Sequence, residues 1–166
     1  MSSDQTQAPA MPRGLLRLGY RLPIALYRAH LGWLLGRRFL LLTHRGRKSG
    51  ARRQTVLEVV RYDSATRESA VVSAYGDRAD WYRNILASPP IEVQTGRDRY
   101  TPQYRLLAPD ERLVALADYR RRYRRAFAAV MRFLGFAYDG TESGLQALAD
   151  QVIMVAFWPR DQHNGA

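Results

Sequence analysis

Between Gly14 and Gly36, Leu15, Leu18, Leu22, Leu26 and Ala29 recur at spacings of three and four, which predicts an amphipathic helix that Pro23 kinks or divides. The pattern then shortens. Phe39-Leu40-Leu41-Leu42-Thr43 is an apolar run of strand length. Arg53 to Tyr62 alternates, with Val56, Glu58, Val60 and Tyr62 on one face and Thr55, Leu57, Val59 and Arg61 on the other. Asp63-Ser64-Ala65-Thr66 supplies turn chemistry, so Ala70 to Ala74 reads as the returning strand. Asp77 to Ser88 predicts a short helix with Trp81, Ile85 and Leu86 on one side, ended by Pro89-Pro90. Ile91 to Thr95 alternates again, Gly96-Arg97-Asp98 turns, and Arg99 to Leu107 is expected as the hairpin partner. Pro109 and Asp110 open a long helix predicted through Leu134, with Leu113, Leu116, Tyr123, Phe127, Val130 and Leu134 inward. A loop and short helix over 140–150 precede a final buried strand, Val152 to Trp158.

About six strands joined by tight turns, with helices between few of them, exclude a doubly wound sheet. The expectation is a mainly β, α+β fold: an antiparallel sheet curled into a small barrel, with an N-terminal helix and a long helix near the C-terminus. The 166 residues suit one domain, expected over 13–160, between a disordered lead-in at 1–12 and a disordered tail at 161–166. The lead-in lacks the basic start and apolar core of a secretory signal, and no apolar run approaches a membrane span, so a cytoplasmic location is expected. Arg13, Arg17, Arg21 and Arg28 form a basic stripe beside Tyr27 and Trp33 on the predicted helix. That helix, 14–36, reads either as an ordinary cover for one end of the barrel or as a peripheral membrane contact.

Composition sharpens the chemistry. With 46% hydrophobic and 25% charged residues the chain is not wholly disordered, and without cysteine it has no disulfide, thiolate ligand or cysteine nucleophile. The formal net charge of +11 predicts a polyanionic partner: nucleic acid, anionic lipid or a phosphorylated cofactor. Aromatic residues are not interleaved with the basic runs, so no nucleic-acid partner is expected. His30, His44 and His163 lack metal-ligand spacing, so no metal site is expected, and no glycine-flanked serine marks a nucleophile elbow. A chain so poor in catalytic groups suits chemistry supplied by a cofactor.

The densest signal is Thr43-His44-Arg45-Gly46-Arg47-Lys48-Ser49-Gly50-Ala51-Arg52-Arg53. Two glycines allow positive φ, so successive main-chain N–H groups are expected to converge as an anion nest ringed by cations and the Ser49 hydroxyl. It is not a P-loop: the leading glycine is misplaced and a strand, not a helix, follows. One strand later, Ser73-Ala74-Tyr75-Gly76 leads into Trp81-Tyr82-Arg83-Asn84 at a helix start, offering flat apolar surface and an amide to a ring system. Arg120-Arg121-Arg122-Tyr123-Arg124-Arg125 is a second basic run; on a helix Arg120 falls near the inner face and the others point outward.

Together, the apolar strand, the Gly46-Arg47-Lys48-Ser49-Gly50 turn with Arg53, the Trp81-Tyr82-Arg83-Asn84-Ile85 helix and the strand from Ile91 resemble the deazaflavin-dependent nitroreductase-like family. The likeness runs from about Phe39 to Gly96 and includes the final strand. It implies a split β-barrel of the FMN-binding type, usually a homodimer. It also implies coenzyme F420, whose tail carries a phosphodiester and glutamate carboxylates, and hydride transfer to a hydrophobic organic substrate (an enone, quinone or nitro compound). By matching position, Arg47, Lys48, Ser49 and Arg53 would hold the tail. Thr55, Val56 and Leu57 would flank the ring, Ser73, Ala74 and Tyr75 would face it, and Trp81 and Asn84 would close the pocket. Tyr75 and Tyr82 are the candidate proton donors. Asp77, Asp80 and Glu58 depart from the family pattern, and two alternatives stay open: an FMN-dependent oxidoreductase of the same barrel group, and a non-catalytic binder of heme, lipid or F420.

Overall fold

The computed structural model describes residues 36–136 and 138–160; the lead-in, the tail and nearly all of the expected helix 14–36 lie outside these. Among the described residues seven strands form, against about six expected: β1 (Phe39–Arg45), β2 (Arg52–Asp63), β3 (Glu68–Ser73), β4 (Glu92–Thr95), β5 (Asp98–Tyr100), β6 (Pro102–Leu106) and β7 (Ile153–Pro159). All pair antiparallel, in the order β5-β4-β1-β2-β3-β7-β6. The sheet curls into a nearly closed split barrel, so the expected mainly β, α+β architecture is the one present. Four helices accompany it among the described residues: α1 (Asp80–Ala87), α2 (Pro109–Arg122), α3 (Arg124–Leu134) and α4 (Glu142–Gln151).

Period-two alternation gives the sheet two apolar faces and the molecule two cores. Leu40, Leu42, Leu57, Val71, Val93 and Phe157 meet inside the barrel, and α1 plugs one end with Trp81, Tyr82 and Ile85. On the outer face Val60, Ala70, Met154 and Ala156 pack against Leu116, Tyr119, Phe127 and Leu145 from the helices. The switch between faces is local. Alternation alone buries the consecutive Val59 and Val60 in different cores, and the register shift between Val59 and Arg61 then returns Tyr62 to the barrel side.

Two sequence expectations require correction. Arg99 to Leu107 is not one strand: β5 pairs with β4, whereas β6 pairs with β7 at the other margin of the sheet. Pro102, with no N–H to add to the β4 ladder, starts the new strand. The long helix from Pro109 to Leu134 is two, divided at Tyr123, whose φ of −132° and ψ of 52° are not helical. Arg120 and Arg124, like Arg121 and Arg125, would stand one turn apart in a continuous helix, a repulsive spacing. The break turns Tyr123 outward, 37% exposed, beneath the Arg38 guanidinium at 5.2 Å, and Ala115, Tyr119 and Met131 take inner positions instead.

Candidate functional site

The β1–β2 turn is shaped by its glycines. Gly50 has φ +66°, a conformation that side chains disfavour. A Cβ on Gly46 would lie 2.8 Å from both Arg53 Nε and Ser49 Oγ, so its absence lets these two side chains close on the turn. Four of the main-chain donors expected to join an anion nest are engaged within the protein. Gly46 N–H donates to the Ala51 carbonyl (2.8 Å), Gly50 N–H to the Gly46 carbonyl (2.7 Å), Ala51 N–H to Ser49 Oγ (3.3 Å) and Arg47 N–H to Asn84 Oδ1 (3.0 Å). With those four donors spent inside the protein, attraction for an anion rests chiefly on the side chains of the turn.

Strand register sets the direction of those side chains. Leu42 opposes Thr55 and His44 opposes Arg53, so Thr55, His44 and Arg53 continue the barrel-interior face past its apolar core to the end plugged by α1. The helix is tied to the turn. Arg47 Nη1 donates to Asp80 Oδ1 at 2.9 Å and to Asn84 Oδ1 at 3.1 Å; Asn84 Nδ2 lies 3.1 Å from His44 Nδ1, and His44 Nε2 lies 3.2 Å from Thr55 Oγ1. His44 is 2% exposed, and burial lowers its pKa below the ordinary 6.5. The main chain of Arg45 and the Asp80 carboxylate pull the other way, and the Arg53 guanidinium assists burial. A depressed imidazole pKa makes the fold lose stability as pH falls below 6.5, where the unfolded chain takes up the proton first.

Between the turn and α1 lies a half-open cleft of about 460 Å³. Arg47, Lys48, Ser49, Arg53, Thr55, Trp81 and Asn84 line it, so seven of the predicted site residues converge. Their roles divide. Arg47 and Asn84 are committed to each other, and Arg47 also to Asp80, whereas Lys48 and Arg53 have no ion pair among the described residues. An indole wall beside two uncompensated cations and two hydroxyls can hold a ligand that is aromatic at one part and anionic at another.

The other predicted residues lie elsewhere. Val56 is on the opposite face of β2 from Thr55, and Leu57 is buried in the barrel core. Ser73 is buried, its hydroxyl donating to the Gly76 carbonyl at 2.7 Å; Ala74 follows the end of β3; Tyr75 packs half-buried against the barrel core. Tyr82 is buried beside Trp81, ring centroids 6.0 Å apart. None of these lines the cleft. Glu58 faces the helical layer, where its Oε1 accepts from Tyr119 OH at 2.7 Å, so it does not intrude on the cleft. His44, Gln54 and Asp80 line the cleft without having been predicted to. A polar residue at the third inward position after Leu40 and Leu42 was the available signal for His44.

A larger groove, about 1120 Å³, runs between α2, α3 and the segment before α4. Its arginines are interleaved with acids: Arg120 pairs with Glu142 at 2.6 Å and Arg121 with Asp118 at 2.6 Å. Among the described residues no helix is long and apolar enough to cross a membrane.

Comparison with known proteins bears on this geometry. No curated protein matches the chain. Among solved structures, an F420-H2 dependent reductase shares 23% identity over 74% of this chain and 95% of its own, with a TM-score of 0.48. A protein described as a domain-swapped dimer shares 20% over 81% and 98%, with a TM-score of 0.49. A pyridoxamine 5′-phosphate oxidase-related, FMN-binding protein from Nostoc punctiforme shares 15% over 90% and 82%, with a TM-score of 0.39. The sequence profile of the family described as F420H(2)-dependent quinone reductase matches residues 20–132, a span that takes in β1 through β6, α1, α2 and the whole cleft. By that match the chain belongs to the F420H(2)-dependent quinone reductase family and is a reductase that uses coenzyme F420.

Proposed function

We propose that the cleft between the β1–β2 turn and α1 is where the coenzyme docks, and that the chain delivers its reducing equivalents to a hydrophobic organic acceptor of the quinone, enone or nitro class. The observation carrying this reading is that Lys48 and Arg53, which have no ion pair among the described residues, line the same cleft as Trp81. Lys48, Arg53 and Ser49 take the phosphate and carboxylates of the tail. Thr55 and Trp81 border the ring. Arg47 is reassigned: its charge is compensated by Asp80, so it fixes the turn against α1 rather than gripping the tail. When bound, the reduced coenzyme supplies a hydride.

The protein's own contribution is placement, since holding donor and acceptor in register lowers the barrier without any acid or base of unusual strength. Neither candidate proton donor lines the cleft; Tyr75, half-buried two residues past β3, is the less enclosed of the two, Tyr82 being buried in the barrel core. We further propose that the chain works as a homodimer; β5 and β6 form the two margins of the sheet, and Leu106 on β6 is exposed. Light scattering on the purified protein tests this, a monomer mass being the adverse result.

The test of the site is a fluorescence titration with coenzyme F420. Replacing Lys48 and Arg53 together by alanine removes two charge-assisted contacts, each worth about 1.5–3 kcal/mol, and is expected to weaken binding at least 100-fold, to order of magnitude. Unchanged affinity would defeat the assignment. Steady-state reduction of a quinone, an enone and a nitroarene then ranks the acceptors.

A further inference from the structure

A line of hydrogen bonds through the cleft floor admits only one direction. It begins at Arg47, whose main-chain N–H and Nη1 both point to Asn84 Oδ1, at 3.0 and 3.1 Å. An amide nitrogen at that position would set donors against donors, so the oxygen belongs there and Nδ2 faces His44. Nδ2 can only donate. His44 Nδ1, 3.1 Å away, must therefore present a lone pair. A neutral imidazole with a bare Nδ1 carries its proton on Nε2, which donates to Thr55 Oγ1 at 3.2 Å. Burial holds the ring neutral against the opposing pull of Asp80 and the Arg45 main chain, with Arg53 assisting. A hydroxyl receiving a donor swings its own proton away from it, and for Thr55 the open side is the cleft.

We propose that Asn84 and His44 are positioning residues that fix the Thr55 hydroxyl as a donor to an oxygen acceptor of the bound ligand. This rests on reading the cleft as the coenzyme's seat and goes further, because it states what kind of atom the cleft demands at that point. Ser49 is set likewise: its Oγ accepts from Ala51 N–H at 3.3 Å, leaving its proton free to face outward. Lys48, Ser49, Arg53 and Thr55 then act as donors, while Asp80 Oδ1 and Asn84 Oδ1 are already occupied by Arg47. The cleft selects phosphate, carboxylate or ring-carbonyl oxygens and rejects a group that presents its own proton to Thr55.

The first measurement needs no ligand. Long-range ¹H–¹⁵N correlations of the imidazole rings near pH 8, assigned with His44→Phe, report which nitrogen of His44 carries the proton. The expected signal is the Nε2–H tautomer, and Asn84→Asp, which turns an oxygen toward Nδ1, should move the proton to Nδ1. A wild-type ring protonated on Nδ1 overturns the proposal. The second measurement is coenzyme titration of Thr55→Val, Thr55→Ser, His44→Phe and the Thr55→Val/His44→Phe double variant. Loss of the Thr55 donor is expected to weaken binding about tenfold, serine should restore it, and the double variant should bind no worse than Thr55→Val alone. Additive losses, or no rescue by serine, overturn it. If the Nε2–H signal is present but Lys48→Ala leaves coenzyme affinity unchanged, the location of the coenzyme is wrong, and the ligand half of the proposal falls with it.

Discussion

The turn at 45–53 and the run at 120–125 each carry five cations, and they come to opposite ends. In the run, Arg120, Arg121 and Arg122 meet Glu142 and Asp118, so most of the charge is answered locally along a helical groove. In the turn, among the described residues, only Arg47 and Arg52 reach carboxylates, Asp80 at 2.9 Å and Glu92 at 3.9 Å. Lys48 and Arg53 remain over a cleft with an aromatic wall. Cation density does not make an anion site. Cations short of carboxylates, gathered around a concavity, do, because an unscreened guanidinium gains from a ligand what a paired one has already gained from its neighbour.

That contrast can be broken directly. Alanine at both Lys48 and Arg53 should cost coenzyme affinity at least 100-fold, to order of magnitude, whereas alanine at both Arg120 and Arg121 should change it by less than about threefold. Equal losses in the two titrations would erase the distinction. The helical layer should respond to stability probes instead. Tyr119→Phe removes the 2.7 Å donor to Glu58 Oε1 and leaves it the Arg38 guanidinium at 3.4 Å, so it should lower unfolding free energy by about 0.5–1.5 kcal/mol in urea with coenzyme affinity intact.

Asp80→Asn sharpens the comparison from the other side. It releases Arg47 from its pair and should raise affinity for inorganic phosphate about two- to fivefold at low ionic strength, an effect erased by 0.5 M salt. Asp80 is 70% exposed in its side chain, so little stability should follow the change. The smallest effect concerns acid. Arg105, at 2.7 Å, and the Ala108 N–H, at 2.8 Å, hold Glu111 down from 4.5 to about 2. That stabilisation is full above pH 4.5 and fades as pH falls toward 2, so Glu111→Gln should flatten the acid limb of a thermal-melt profile and leave coenzyme binding alone.

Much of this was legible in the residues. Alternation along β2 and the apolar run of β1 located the hairpin, and glycine spacing located its turn. The convergence of Lys48, Ser49, Arg53, Thr55 and Trp81 was implied by position in the family likeness rather than by the spacing of the residues. What sequence could not show was pairing. Whether Arg47 faces a ligand or Asp80 depends on how α1 lies across the turn, a distance of 33 residues along the chain. The nest lost a donor for a related reason: Asn84 takes the Arg47 N–H. Helical periodicity likewise carried through Tyr123 because no glycine or proline marks it, while charge repulsion among flanking arginines leaves no trace in hydrophobic spacing.

One tie reaches beyond binding strength. Since a single amide oxygen on α1 clasps both the backbone and the guanidinium of Arg47, the aromatic flank and the glycine turn travel as one rigid jaw. Swinging the helix outward would unfasten these two contacts together with those to Asp80 and His44, so widening the gap for bulkier guests costs several hydrogen bonds. Room for a bulkier guest is gained more readily along the opposite rim.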